Sequence, residues 1–121
     1  NDLIQLELPG GLTLHAQITH DSTQRLELVI GSPAVALIKA GWLQLTSAAQ
    51  LPGPDHNHLH GQIEQIVHTD NGPSEVRISL PNGQTLCALT EPQHLETLEL
   101  HVGDETQVQF SPSMVLLGTA L

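Results

Sequence analysis

Apolar and polar residues alternate over short stretches of this chain, a pattern that predicts short β-strands rather than long helices. Two of these stretches are interrupted by turns of similar composition, Pro9-Gly10-Gly11 and Pro81-Asn82-Gly83. Turns of this chemistry join neighbouring antiparallel strands. We therefore predict two β-hairpins, the first entered by a strand at residues 3–8, with return strands at residues 12–18 and 84–89.

The two hairpins belong to an internal repeat with a constant offset of 72 residues. Residues 8–16 match residues 80–88, and residues 26–31 match residues 98–103. The register runs without a gap over the whole of the first copy. A repeat of this length indicates a duplication, and two copies are too few for a solenoid.

After each hairpin the sequence predicts one short helix and two closing strands. Thr19 and Thr90 suit helix N-caps, and Glu91-Pro92 suits a first helical turn. Gly31 and Gly103 are expected to end the helices, because glycine readily takes the left-handed C-terminal conformation. The closing strands are predicted at residues 33–39 with 42–46 in the first unit, and at 105–110 with 114–119 in the second.

The second unit has one further strand, predicted at residues 59–67, whose counterpart in the first unit would lie before Asn1. Five strands and one short helix per unit predict an all-β chain of two tandem OB-like five-stranded barrels, the first without its leading strand. A barrel that lacks a strand exposes a sheet edge, which either upstream sequence or another chain is expected to cover. The predicted domains are residues 1–49, a linker at 50–56, and residues 57–121.

Composition and charge exclude several functions for this segment. Thirteen acidic and three basic residues give a formal net charge of −10, which disfavours contact with nucleic-acid phosphates. The sequence has no apolar run of the ~20 residues that span a bilayer. A soluble, cytoplasmic domain without membrane contact is expected. Cys87, the single cysteine, is expected to be a small buried hydrophobe.

One apolar, strand-like run, residues 34–45, contains the only lysine of the chain, Lys39, and its only tryptophan, Trp42. Thr19 and Ser22, at a predicted helix start, offer hydroxyl donors beside free backbone N–H groups. Together with the Lys39 ammonium they suit an oxyanion. Because the chain is so acidic, such an anion must be bound in a small, desolvated pocket. The alternative is that Thr19 only caps a helix and Lys39 only protects an edge strand.

His56, His58 and His60 alternate at the start of the second unit's leading strand, and imidazole suits zinc or nickel. Such residues share one face of a strand but lie ~7 Å apart. At that spacing the three imidazole groups are poorly placed to bind one ion. A solvated strand start is the favoured interpretation, and metal binding is the alternative. The adjacent residues 20–22 (His, Asp, Ser) are a loop composition rather than a triad assembled from separate elements, so no enzymatic activity is expected.

The first unit resembles the mop (TOBE-type) molybdate-binding module in residues 16–22, 26–31 and 36–40. Residues 80–88 are similar to the second module of a tandem pair found in the effector region of bacterial molybdate-responsive transcriptional regulators. The resemblance covers nearly the whole chain. It implies a homodimer that binds molybdate or tungstate where subunits meet, without a redox cofactor, and it implies Thr19, Ser22 and Lys39 as ligands.

The resemblance also implies a ligand motif, Ser-Ala-Arg-Asn, on the leading strand. In the first unit this motif would precede Asn1, and in the second unit residues 54–57 match it only at Asn57. Ser111 stands at the position equivalent to Lys39, so the first unit is expected to carry the binding.

As the sensing part of a regulator, the chain would couple oxyanion binding to a separate upstream DNA-binding domain. Three alternatives remain at this stage. They are a molybdate storage or buffering protein, an accessory domain of a molybdate transporter's ATPase subunit, and a structural dimerisation domain without a ligand.

Overall fold

In the computed structural model, which describes residues 1–119, the chain is mostly β, with two short helices. The strands are β1 (Asp2–Glu7), β2 (Thr13–Ile18), β3 (Val35–Leu37), β4 (Gln44–Ser47), β5 (Asn57–Val67), β6 (Ser74–Ser79), β7 (Thr85–Thr90), β8 (Glu105–Phe110) and β9 (Leu116–Gly118). The helices are α1 (His20–Arg25) and α2 (Pro92–Thr97). The first unit contributes four strands and the second five, as predicted for a first unit without its leading strand. Within residues 1–119, neither helix is long and apolar enough to cross a membrane.

The strands form three antiparallel sheets. β1 pairs with β2, and β3 pairs with β9. The third sheet has the strand order β4-β8-β5-β6-β7. Its long strand β5 pairs with β8 as far as Gln62 and with β6 from Gln62 onward. Within the described residues the sheets do not close, which gives the partly open, OB-like arrangement that the sequence predicts.

The last strand of each unit pairs with the other unit, so the prediction that the final two strands close their own unit is wrong. Leu45 of β4 lies opposite Val108 of β8, and Leu117 of β9 lies opposite Ala36 of β3. These two pairs are equivalent under the repeat, so the units are related by an approximate two-fold axis. The local pattern of a strand predicts that it will form, but a strand of three or four residues suits the edge of either unit.

The two units share one hydrophobic core. Its first-unit members are Leu14, Ala16, Leu43 and Leu45, and its second-unit members include Ile63, Val76, Val108 and Phe110. Residues 50–56, the predicted linker, contain neither helix nor strand, and the domain boundaries on either side of them stay predictions.

Both helices end earlier than predicted. α1 is followed by Glu27 and α2 by Glu99, each with a φ of 53°, so these glutamates take the left-handed position expected for Gly31 and Gly103. The Leu28 N–H donates to the Thr23 carbonyl over 3.1 Å, which is the longer bond of a Schellman motif. Gly31 and Gly103 lie in the turns that follow, at φ 91° and 95°.

The start of α1 agrees with the prediction and the start of α2 does not. Thr19 caps α1 with its side chain. Thr90 lies inside β7, and Glu91 is the N-cap residue of α2 without a side-chain capping bond.

Cys87 is exposed on β7, so the prediction of a buried thiol is wrong. Successive side chains of a strand point to opposite faces. Ala88 is fully buried and Leu86 half-buried, so these neighbours take the inward positions and Cys87 faces outward.

The two hairpin turns meet at the approximate two-fold axis. Asn82 Nδ2 donates to the Pro9 carbonyl over 2.8 Å. Gly10 and Asn82 are equivalent positions of the repeat, and a Cβ on Gly10 would lie 2.8 Å from the Asn82 Cβ. The two-fold axis therefore has room for the Asn82 side chain but not for a second side chain at position 10.

Gly10→Ala is expected to destabilise the chain more than Gly11→Ala. Both glycines have positive φ, 82° and 81°, and that conformation costs another residue about 1–2 kcal/mol. Only the new Cβ at Gly10 meets Asn82, whereas a Cβ at Gly11 would have no neighbour within 4 Å in the described chain. Urea unfolding of both variants measures the difference, and equal losses would contradict the importance of the turn contact.

Candidate functional site

The hydroxyl groups of Thr19 and Ser22 meet at the start of α1. The Ser22 N–H donates to Thr19 Oγ1 over 3.1 Å, and the Thr19 hydroxyl donates to Ser22 Oγ over 2.8 Å. A threonine N-cap with extended backbone places its side chain over the first turn of the helix. The structure therefore brings together two of the three predicted oxyanion ligands.

Arg25 joins this pair, and the sequence interpretation missed it. Its Nη2 donates to Ser22 Oγ over 3.2 Å. Ser22 Oγ thus accepts from both Thr19 and Arg25, which occupies the two acceptor positions of a hydroxyl and leaves its proton to be donated outward. The signal was present in the sequence, because residues three apart on a helix are neighbours.

Asp2 holds α1 against β1. Its Oδ2 accepts a hydrogen bond from the Thr23 hydroxyl over 2.6 Å and lies 2.9 Å from His20 Nδ1. The Thr23 hydrogen bond, followed by the contact with His20, lowers the pKa of Asp2 below its ordinary value of 3.8. The helix that carries Thr19 and Ser22 is thereby fixed to the first hairpin.

Asp2→Asn is expected to lower the stability of the chain near neutral pH and to cost much less in strong acid. Because folding lowers the pKa of Asp2, the ionised carboxylate stabilises the fold above pH 3.8. That contribution is lost as the pH falls below this value and through the lower pKa of the folded state. Urea unfolding at about pH 7 and about pH 2 measures the difference in the free energy of unfolding between the parent chain and the variant. A difference that is as large in acid as at neutral pH would contradict this role of Asp2. The control is Asp21→Asn, which changes an exposed carboxylate on the same helix.

Lys39 lies just beyond β3 and against Trp42. Its Nζ is 4.8 Å from the centre of the Trp42 ring, a cation–π contact worth about 0.5–1 kcal/mol at an exposed site. The strand predicted at residues 33–39 spans only Val35–Leu37. Lys39 is instead the residue that enters the 3₁₀ turn Ala40–Trp42.

Lys39 does not join the Thr19–Ser22 pair within one chain. The turn Ala40–Trp42 packs against β7 of the second unit, whereas β2, which leads into Thr19, packs against the turn Pro112–Met114. Within residues 1–119 no hydrogen bond or ion pair links Lys39 to either hydroxyl. The cause is the exchange of the last strands, which carries the end of each unit onto its neighbour.

The equivalent positions of the second unit have different contacts. Glu91 takes the place of Thr19, and a carboxylate repels an anion. His94 takes the place of Ser22, and its Nε2 lies 2.7 Å from the Leu45 carbonyl oxygen. Ser111 takes the place of Lys39, and its Oγ accepts from the Ser113 N–H over 3.3 Å. These replacements leave the second unit without the lysine of the first.

The three alternating histidines are not arranged around a common point. His58 and His60 are exposed on β5 with ring centroids 6.2 Å apart and edge to face, and His56 precedes the strand. In the described chain no three His, Cys, Asp or Glu residues are grouped so that they could hold a metal ion. The choice between a solvated strand start and a metal site stays a prediction.

The fold defines a tandem, OB-like β domain. More particularly, the chain belongs to the TOBE domain family, whose pattern matches residues 1–45 and 54–117. The family predicted from residues 16–40 and 80–88 is therefore confirmed, and both units take part in the match.

Curated relatives and a solved structure agree with this assignment. The transcriptional regulator ModE of Yersinia pestis is 36% identical over 110 residues, which are 91% of this chain and 41% of that protein. The DNA-binding transcriptional dual regulator ModE of Escherichia coli (strain K12) is 34% identical over 112 residues, again 91% of this chain and 41% of that protein. The chain thus spans about two fifths of the length of these relatives.

Among solved structures, the cytoplasmic molybdate-binding protein ModG, in a form with molybdate bound, superposes with a TM-score of 0.88 and 27% sequence identity. The match covers 98% of this chain and 84% of that chain. The structural likeness therefore includes both units.

Proposed function

We propose that this chain is a molybdate- or tungstate-binding domain that serves as the oxyanion sensor of a transcriptional regulator. The observation that carries the proposal is the hydroxyl pair Thr19–Ser22 with its guanidinium neighbour Arg25, in a TOBE-family chain whose relatives include ModE regulators and a protein crystallised with molybdate. The proposed activity is binding rather than catalysis.

The proposed ligands are Thr19, Ser22 and Lys39. A tetrahedral oxyanion accepts hydrogen bonds at each oxygen, and Ser22 has its proton free for such a bond. Lys39 supplies a formal positive charge, and hydrogen bonds to charged groups contribute about 1.5–3 kcal/mol. Because the chain has a net charge of −10, these short-range contacts must outweigh a long-range repulsion.

We further propose that two copies of the chain complete the site. The turn that follows Lys39 packs against the second unit and Thr19 belongs to the first, so a second copy of the chain would supply the missing half of each site. In a two-fold dimer, Lys39 of one protomer would meet the partner's Thr19 and the partner's Ser22. Such an interface is isologous, so it would form two equivalent sites.

The sensor role follows from linkage. An anion held between two protomers favours the dimer arrangement that binds it. A separate DNA-binding domain would read that change, while this acidic segment itself makes no contact with nucleic acid. A storage protein with the same binding chemistry is the second candidate, favoured by the match to 84% of ModG, which is a cytoplasmic molybdate-binding protein.

A titration of the chain with molybdate tests the binding proposal. Displacing Lys39 from the Trp42 ring is expected to change tryptophan fluorescence, and calorimetry on the same samples gives the affinity. Tungstate should bind comparably, with chloride at equal ionic strength as the control. The absence of both a fluorescence change and heat at millimolar molybdate would refute the proposal.

The proposed shared site couples anion binding to assembly. An anion bound between protomers lowers the dimer dissociation constant, in a sensor and in a storage protein alike. Sedimentation of the chain over a range of concentrations, with and without molybdate, measures this shift. Saturable binding without any change in the dissociation constant would contradict a site shared between protomers.

A further inference from the structure

His58 and His60 lie side by side on the outer face of β5. Successive side chains of a strand alternate between its two faces. Asn57 and Leu59 point inward, at 5% and 4% exposure, while both histidines are exposed. The centres of the two imidazole rings are 6.2 Å apart, and the ring planes meet at 88°. Three histidines spread along a strand are poorly placed around one ion, but two neighbours on one face are within reach of a shared ligand.

The separation of the two rings fits one shared metal ion. Metal–nitrogen bonds of about 2.0–2.1 Å allow two imidazoles on the same ion to have ring centres up to about 6 Å apart. The observed separation of 6.2 Å is close to this upper limit. Small rotations about the side-chain bonds would therefore bring one nitrogen of each ring onto the ion, and no backbone movement is required.

Both imidazoles are free to act as ligands. Among the described residues, the histidines whose rings have a polar protein partner are His20, His56, His68, His94 and His101. The rings of His58 and His60 have no such partner within residues 1–119. An imidazole that already bonds to the protein must give up that bond in order to bind a metal, whereas these two rings lose none.

The backbone that carries the two histidines is fixed by its neighbours. Residues 57–62 of β5 pair with β8. The start of the strand is held as well, because the Asn57 side chain accepts from the His15 N–H over 2.8 Å and donates to the His15 carbonyl over 2.7 Å. Ligands on such a paired backbone lose only side-chain freedom when an ion binds, which lowers the cost of binding.

The charge of the surroundings favours a cation. The chain has a formal net charge of −10, and its three basic residues belong to elements other than β5 and β8. Glu105 of β8 is exposed, lies opposite Gln62, and lines a cavity of about 410 Å³ together with His60. A divalent cation is therefore the class of ligand that the field of the chain attracts.

We propose that His58 and His60 form a two-histidine binding site for a divalent transition-metal ion, with Cu²⁺ bound most tightly. Imidazole suits zinc, copper and nickel, and affinity rises from nickel to copper and falls again at zinc. Water completes the coordination, because both rings are exposed. The site has two side-chain ligands, in keeping with the lack of any three-residue metal group in the described chain. It shares no residue with the proposed oxyanion site.

Calorimetric titration of the whole chain with Cu²⁺ tests the proposal, at about pH 7.5, where imidazole is mostly neutral. One ion should bind per chain, and Ni²⁺ and Zn²⁺ should bind more weakly. His58→Gln and His60→Gln should each weaken binding at least about tenfold, since losing even a supporting contact of a metal ligand costs about 10–100-fold. His56→Gln is the matched control, because it removes an exposed histidine just ahead of β5, and it should leave the affinity unchanged. Equal losses in all three variants would overturn the proposal.

Paramagnetic broadening by Cu²⁺ locates the ion without any variant. Substoichiometric Cu²⁺ should broaden the NMR amide signals of residues 58–60 first, together with those of Gln107 and Gln109, which lie opposite them on β8. First broadening around any other histidine would overturn the proposal. So would uptake of one ion per two chains, because the ion would then bridge two copies. None of these readouts requires an oxyanion, so they stand apart from the proposed function.

Discussion

Lys39→Ala is expected to weaken molybdate binding by roughly ten- to a hundredfold. The change removes a formal positive charge from an anion site, and hydrogen bonds to charged groups are worth about 1.5–3 kcal/mol. Loss of the cation–π contact with Trp42 should leave the fold intact, since Lys39 is exposed and lies outside the strands. Calorimetric titration of the variant and the parent chain gives the ratio of dissociation constants.

Arg77→Ala is the matched control, because it removes the same charge from an exposed position on β6. It should change affinity only through the net charge of the chain, by much less than Lys39→Ala. Arg25→Ala should give an intermediate loss, because Arg25 donates to Ser22. If the three variants lost affinity equally, net charge rather than a defined site would control binding.

The dimeric site predicts a complementation that net charge cannot mimic. A mixture of Lys39→Ala chains and Thr19→Ala chains can form heterodimers in which one site has lost both contributions and the other has lost neither. Such a mixture is expected to recover one parent-like site per heterodimer in the calorimetric titration. Two uniformly weakened sites would contradict a site shared between protomers.

Strands and turns were predictable because their causes are local. Alternation over a few residues defines β1 and β2, and the Pro-Gly-Gly and Pro-Asn-Gly turns define the hairpins. Partner choice is not local. β4 and β9 contain only four and three residues, and nothing in their own sequence distinguishes the two units, so the exchange of the last strands could be recognised only in three dimensions.

The candidate site likewise has contacts with a local cause and contacts that depend on the pairing of distant strands. Thr19 and Ser22 are three residues apart at a helix start, so the contact between them has a local cause. Arg25 lies three residues after Ser22 on the same helix, so its contact with Ser22 also has a local cause, but the sequence interpretation omitted it. The distance between Lys39 and Thr19 depends on strand exchange, which the sequence pattern does not define. The early end of α1 also escaped prediction, because Glu27 adopts a left-handed conformation that the sequence suggested for a glycine.

Leu45→Ala is expected to destabilise the chain by about 2–5 kcal/mol. Although Leu45 belongs to the first unit in sequence, the substitution should loosen mainly the second unit. Leu45 is 1% exposed, so the substitution leaves a cavity in the shared core. Because β4 pairs with β8 and also contacts β7, amide exchange should accelerate in those two strands more than in β1 and β2.

Leu117→Ala is the matched experiment, since Leu117 is the repeat counterpart of Leu45 and lies on β9. It is only half-buried, so its cost should be smaller. Its effect should fall on β3 and β2, the first-unit strands that β9 contacts. If each substitution instead loosened only its own unit, the last strands would not be exchanged in solution. The crossed result would mean that neither unit is a complete folding unit, and that any strain an anion places on one unit is transmitted to the other through β4 and β9.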